Sequence, residues 1–233
     1  MTNDQSIPDE YLLREFYEML TPERIQLFEQ IIDQRTNHFT VISEDIFQEH
    51  NASAIVRSCD SFGIQTLHLI ESRNTYQVHE GIARGSNQWV TLEHHYTEGL
   101  PSEEIFQRIK ERGYKIVATS PHAIEYDIFN LPIDEPLAFV FGAEKKGVTE
   151  AATEQADYLV RIPMYGFAES LNVSVSVAII LNELRNRLKD STIDWKLTNE
   201  ERLRTKLSWC RKHLKSSELI ENEIKRRFLE KEL

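Results

Sequence analysis

Two apolar runs, each opening into a glycine-bearing polar loop, constrain this chain more than any other feature. Leu137-Ala138-Phe139-Val140-Phe141 runs into Gly142-Ala143-Glu144-Lys145-Lys146-Gly147. Residues 158–162 lead through Pro163-Met164-Tyr165-Gly166 into Ser170-Leu171-Asn172-Val173-Ser174-Val175-Ser176. Apolar runs this short read as buried strands. The second loop feeds residues 173–187, which are apolar on most sides at first and read as a deeply packed helix. Strand ends that open into loops and then helices are how an open α/β sheet builds a ligand crevice.

The rest of the chain repeats the strand–loop–helix–strand order. Residues 39–42 predict a strand. A helix follows to about Ser61, capped by Asn51 or Ser53 and stopped by Gly63; residues 66–70 are the next strand. Residues 88–92 predict a further short strand, 102–112 a helix with Gly113 as a left-handed cap, and 114–119 a buried strand. Strands separated by helices imply an α/β fold, a mostly parallel sheet with helices on both faces. Helices flank this core. One N-terminal helix starts at Thr21-Pro22, a hydroxyl cap with proline in the first turn, where its missing N–H is not needed. In the tail, Leu203, Leu207, Cys210 and Leu214 recur at 4, 3, 4, one apolar stripe of a helix. The division is residues 1–36, a core over 37–188, and a helical extension over 189–233.

Several function classes drop out. The 233 residues contain two cysteines, Cys59 and Cys210, with no zinc spacing and no C-x-x-C, so no metal is expected and the compartment is a reducing, cytoplasmic one. No apolar run is long enough to span a membrane. Neither a G-x-G-x-x-G after a strand nor a phosphate-binding G-x-x-x-x-G-K-[ST] occurs. The net charge of -11 argues against nucleic acid, but the distribution does not. Residues 185–233 hold 14 Lys and Arg against 9 Asp and Glu; residues 1–184 hold 13 against 29. A basic stretch from Arg202 to Lys215 could contact phosphate, or could be an ordinary solvated helix face.

Three ordered blocks carry a resemblance. They are Asn51-Ala-Ser-Ala-Ile-Val-Arg57 continuing to Gly63, then Val140-Phe-Gly-Ala-Glu144-Lys-Lys-Gly147, then Ile162-Pro-Met through Ser170-Leu-Asn172-Val-Ser-Val. With Gly85-Ser-Asn-Gln-Trp-Val90 between them, the chain resembles the SPOUT superfamily, and within it the TrmH-type 2′-O-ribose methyltransferases, over about residues 40–187. Pattern alone predicts an ordinary open sheet, because knots are rare; the resemblance implies a C-terminal trefoil knot. It also implies S-adenosyl-L-methionine as cofactor, held near Thr119, Gly142, Ile162 and Leu171, and a homodimer acting on tRNA.

By the same resemblance Arg57 is the principal catalytic candidate, with Asn51, Glu144, Ser170 and Asn172 beside it. Each has a plain structural alternative. Arg57 could be a surface arginine, Asn51 a helix cap, Glu144 a solvated loop carboxylate, and Ser170 and Asn172 partners of backbone groups at a helix start. His50 and His122 are further loop candidates, and Arg84 with the basic tail completes a possible RNA path. The implied activity is methylation of a tRNA ribose, at guanosine 18 of the D-loop. The alternatives are 2′-O-methylation of ribosomal RNA, and a non-catalytic RNA-binding protein with this fold.

Overall fold

The computed structural model describes residues 7–231 apart from residue 47 and segments 72–84, 98–101 and 144–145. Two compact units divide at Arg35–Thr36 and at Trp195–Lys196. Residues 36–195 form the sheet unit. Its elements are β1 (Phe39–Glu44), α3 (Glu49–Ser61), β2 (Thr66–Glu71), β3 (Thr91–Tyr96), α4 (Ser102–Glu111), β4 (Lys115–Thr119), β5 (Tyr126–Asp127), β6 (Leu137–Phe141), α5 (Glu150–Gln155), β7 (Tyr158–Arg161) and α6 (Val173–Lys189).

Every strand pair is parallel, in the order β3-β2-β1-β6-β4-β7-β5. β1 and β6 lie at the centre, buried along their whole length, which is why both read as unbroken apolar runs. The two-residue side-chain period splits the core in two. Phe39, Val41, Leu67, Phe139 and Val160 face α3 and α6, meeting Ile55, Val56, Val177, Ile180, Leu181 and Leu184. Ile42, Ile70, Ile116 and Val140 face α4 and α5, meeting Ile105, Phe106, Ile109 and Ala152. The chain leaves β4 for the edge at β5, returns to the centre at β6, then runs out to β7 between β4 and β5. On this side of the sheet, therefore, no two consecutive strands are neighbours. Arg187 of α6 ties the returning segment down, donating to Ile128 O at 2.9 Å and Leu131 O at 2.6 Å.

Three local expectations change. The strand expected over residues 88–92 is instead a turn of 3₁₀ helix at Ser86–Gln88, after Gly85 at φ 82°, with β3 beginning at Thr91. Glu93-His94-His95 has no apolar signal; backbone pairing with β2 at the sheet edge makes it a strand. β1 extends to Glu44, two residues beyond the predicted strand. Asn51 does not cap α3: the helix begins at Glu49 after Gln48, and Asn51 sits buried in its first turn.

The second unit joins the two ends of the chain. It contains α1 (Asp9–Tyr17), α2 (Pro22–Ile32), α7 (Asn199–His213) and α8 (Ser217–Lys231). Thr21 caps α2 by accepting from Arg24 N. Trp209 is the hub of the unit, edge-on to Phe28 with ring centroids 5.3 Å apart, and the Arg35 guanidinium lies over it at 5.5 Å. Thr198 and Glu201 form a reciprocal capping box at the start of α7.

Candidate active site

The loops that follow β4, β6 and β7 surround an open crevice of about 800 Å³ at the carboxyl edge of the sheet. Thr119, Gly142, Ile162 and Leu171 all line it, and so do Ser170 and Asn172. Six residues scattered over 54 positions thus share one cavity. Glu144 lies outside the described residues, as does Arg84.

The backbone of the β6 loop is what shapes the crevice. A Cβ placed on Gly142 would stand 1.9 Å from Gly147 O and 2.3 Å from Val148 N. Only glycine lets the loop close on itself this tightly. Gly147, at φ 68°, closes it through its N–H to Ala143 O at 2.8 Å. Glu44 holds the loop's far end. Its carboxylate accepts from Thr149 N at 2.9 Å and Thr149 Oγ1 at 2.7 Å, and Thr149 caps α5. Burial pushes the Glu44 carboxyl above the ordinary glutamate range, and the two hydrogen bonds from Thr149 offset part of that. Thr119 Oγ1 donates to Val140 O at 2.8 Å, binding the ends of β4 and β6 together.

A second network joins the starts of α3 and α6. Asn172 is the N-cap of α6, its Oδ1 accepting from Ser174 N at 2.9 Å and from Ser174 Oγ at 2.7 Å. Its Nδ2 donates to Asn51 Oδ1 at 3.1 Å, and Asn51 Nδ2 donates to Gln48 Oε1 at 3.2 Å. Asn172 is therefore cap and site residue at once, since one amide offers both an acceptor and two donors. Asn51 is only 2% exposed, so these bonds satisfy an amide that would otherwise be costly to bury. Sequence reasoning missed Gln48, Glu44 and Ser174. The first two lie between the predicted strand and the predicted helix cap, and only the fold shows what they hold.

Arg57 is exposed on α3, its side chain makes no hydrogen bond or ion pair with a described residue, and it is not among the residues that line the crevice. His50 is exposed on the same helix, and His122 is exposed on the crevice rim. The basic tail differs from expectation. Leu207 and Cys210 are buried, but so are Thr205 and Trp209, and Leu203 and Leu214 are only half-buried. Of the cations, Arg204 is paired with Glu200, and Arg211 with Glu221 at 2.8 Å. Arg202 meets Asp33 at 2.8 Å and Lys206 meets Glu29 at 3.0 Å. Local carboxylates thus occupy four of the six tail cations.

His68, Glu93 and His95 bring three ligand atoms within 4.8 Å of one another, the one such group among the described residues. Arg112 already holds Glu93 through both carboxylate oxygens, at 2.6 and 3.2 Å. These contacts with His68 and Arg112 draw the Glu93 carboxyl down to about 2 against the opposing effect of burial. The group is an ion-paired polar cluster at the sheet edge, away from the crevice residues.

The chain is similar to known proteins over most of its length. The model of the SpoU rRNA Methylase family matches residues 38–182. The tRNA (guanosine(18)-2′-O)-methyltransferase of Borreliella burgdorferi is 37% identical over 205 residues, covering 88% of this chain and 92% of that protein. Its namesake from Thermus thermophilus is 36% identical over 194 residues, covering 82% and 98%. The crystal structure of the A. aeolicus TrmH/SpoU tRNA modifying enzyme matches with a TM-score of 0.72 and 31% identity, over 83% of this chain and 98% of that one.

Proposed function

The chain belongs to the SpoU rRNA Methylase family, and on that premise we propose that it transfers a methyl group from S-adenosyl-L-methionine to the 2′-hydroxyl of guanosine 18 in tRNA. The observation that carries this reading is the single crevice that gathers Thr119, Gly142, Ile162, Leu171, Ser170 and Asn172. Long similarity to proteins named for that tRNA nucleotide selects the substrate.

The crevice fits the cofactor. Ile162 and Leu171 offer half-buried apolar faces for a purine, and Thr119 and Gly142 bring the ends of two strands to the same crevice, where backbone groups can take its polar atoms. When bound, the cofactor supplies an electrophilic methyl on sulfonium sulfur. The protein's part is to place a ribose hydroxyl and stabilise its oxygen as its proton passes to solvent water in the open crevice. Arg57 takes a phosphate of the target nucleotide and stabilises the developing alkoxide. Asn51 and Asn172 fix the two helix starts against each other, and Ser170 faces the nucleotide.

Arg57 does not line the crevice of its own subunit. A two-fold homodimer that brings Arg57 of one subunit to the crevice of the other completes the site. Val175, exposed on the first turn of α6, suits such a contact. The place of action is the cytoplasm. Cys59 and Cys210 are both buried and not joined by a disulfide, and no helix among the described residues is long and apolar enough to cross a membrane.

The test is methyl transfer from tritiated cofactor to total tRNA and, separately, to ribosomal RNA, followed by nucleoside analysis. 2′-O-methylguanosine at nucleotide 18 is expected. Label in ribosomal RNA alone would redirect the substrate. No label in either RNA, with cofactor bound, would leave a non-catalytic RNA-binding protein.

A further inference from the structure

The loop segment between Met164 and Glu169, two residues that line the crevice, carries the two most exposed aromatic rings of the described chain. Tyr165 is 96% exposed and Phe167 109%, on either side of Gly166 in the loop between β7 and α6. Neither ring meets another described ring, and a Cβ on Gly166 would have nothing within 4 Å. Phe16, Phe28, Phe39, Phe106, Phe139 and Phe141, by contrast, are all buried. Phe167 is three residues from Ser170, so the backbone between them spans at most about 11 Å.

The cations of the crevice differ from those of the tail. Arg161 and Lys146 line the crevice, are exposed, and make no ion pair with a described residue; His122 beside them is exposed too. One carboxylate, the exposed Glu169, lines the crevice with them; in a chain of net charge -11, two cations without an ion pair to a described residue are where a polyanion meets least repulsion. Aromatic rings beside a cationic groove are the chemistry of single-stranded nucleic acid binding: rings take base faces, cations take phosphates.

We propose that Tyr165 and Phe167 form a stacking platform for unpaired bases of the RNA substrate at the target nucleotide, with Arg161 and Lys146 holding the flanking phosphates. This deepens the functional reading above and rests on it. It assigns RNA binding to the crevice rim instead of the basic tail. The rings hold the nucleotide in place; they take no part in the chemistry.

Four proteins decide the matter: the full-length wild type, Tyr165→Ala/Phe167→Ala, Phe167→Trp, and Arg161→Gln/Lys146→Gln. For each, affinity for unmodified tRNA is read by fluorescence anisotropy across a salt series, cofactor affinity by calorimetry, and mass by light scattering. Truncating one stacked ring costs roughly 5- to 150-fold in affinity, so the double alanine variant should bind tRNA at least about ten-fold more weakly. Phe167→Trp should stay within about two-fold of wild type, and cofactor affinity and mass should not move. The Arg161/Lys146 variant should lower the log–log salt slope by roughly 0.7 to 0.9 for each phosphate it no longer neutralises. Unchanged tRNA affinity in the double alanine variant overturns the proposal while leaving the function intact. A change of mass in that variant also overturns it and assigns the rings to an interface between copies of the chain. A wild type that binds neither tRNA nor cofactor removes the functional reading, and this proposal with it.

Discussion

Replacing Gly142 by alanine tests the central geometric claim, that the β6 loop folds back on itself where a cofactor is to sit. The added methyl carbon would begin 1.9 Å from Gly147 O and 2.1 Å from Gly147 C. Both are backbone atoms, so no flexible side chain can yield, and a peptide must move by more than about 1 Å to restore ordinary contact. The atoms in the way belong to a segment pinned by Gly147 N to Ala143 O and by Thr149 to the Glu44 carboxylate. Moving it forfeits one neutral hydrogen bond of about 0.5–1.5 kcal/mol and strains bonds to a charged group of about 1.5–3 kcal/mol. The loss is then roughly 2–4 kcal/mol, which for a protein of this size lowers the melting temperature by about 4–16 °C. Differential scanning fluorimetry reads the melting temperature, and calorimetry with S-adenosyl-L-methionine reads the crevice, which should bind at least about ten-fold more weakly. Gly166→Ala is the control. Its Cβ enters open space, and its melting temperature should stay within about 1 °C of wild type. A Gly142→Ala protein that melts within about 2 °C of wild type and binds cofactor normally would refute the argument.

Other outcomes follow from the same structure. Arg57→Ala should reduce methyl transfer by about 10²–10³ in rate with cofactor affinity unchanged; a variant retaining half of wild-type turnover removes Arg57 from the site. Asn172→Ala deletes both the cap of α6 and the partner of Asn51, and should destabilise by about 1–3 kcal/mol in denaturant titration. Asn172→Asp keeps the cap acceptor and loses the donor, so it should recover the cap's share alone. Burial pushes the Cys210 thiol up to about 12 from 9.0. Its folded value is raised, so its contribution is fully present below the unfolded value and is lost as pH rises from about 9 toward 12. Cys210→Ala should flatten alkaline unfolding in that window, and a thiol reagent at pH 8 should leave Cys210 unlabelled in the native protein.

The elements nearest the site were legible because their signals are local. β6 and β7 announce themselves as apolar runs, and the glycines and the Ser170–Asn172 stretch mark where the chain must turn and cap. The resemblance carried by three short blocks then singled out the crevice residues Thr119, Gly142, Ile162 and Leu171, which no periodicity could have separated from ordinary core. What stayed hidden depended on partners distant in sequence. Glu93-His94-His95 becomes a strand only because β2 lies beside it, and Trp209 becomes a hub only because α2 returns to meet it.

The sequence by itself determined the kind of protein this is. Hydrophobic period, turn chemistry and motif order are written residue by residue, and they select a parallel α/β sheet with a crevice at its carboxyl edge. The tertiary structure alone decided which polar groups are at liberty to act. Arg202 and Lys206 look available on a helical wheel and are held by Asp33 and Glu29, more than 160 residues away in sequence. Lys146 and Arg161 attract no notice in sequence, yet stand exposed at the crevice without a described ion-pair partner. A charge's availability depends on what lies within a few ångströms of it, and most such neighbours are set by the fold rather than by distance along the chain.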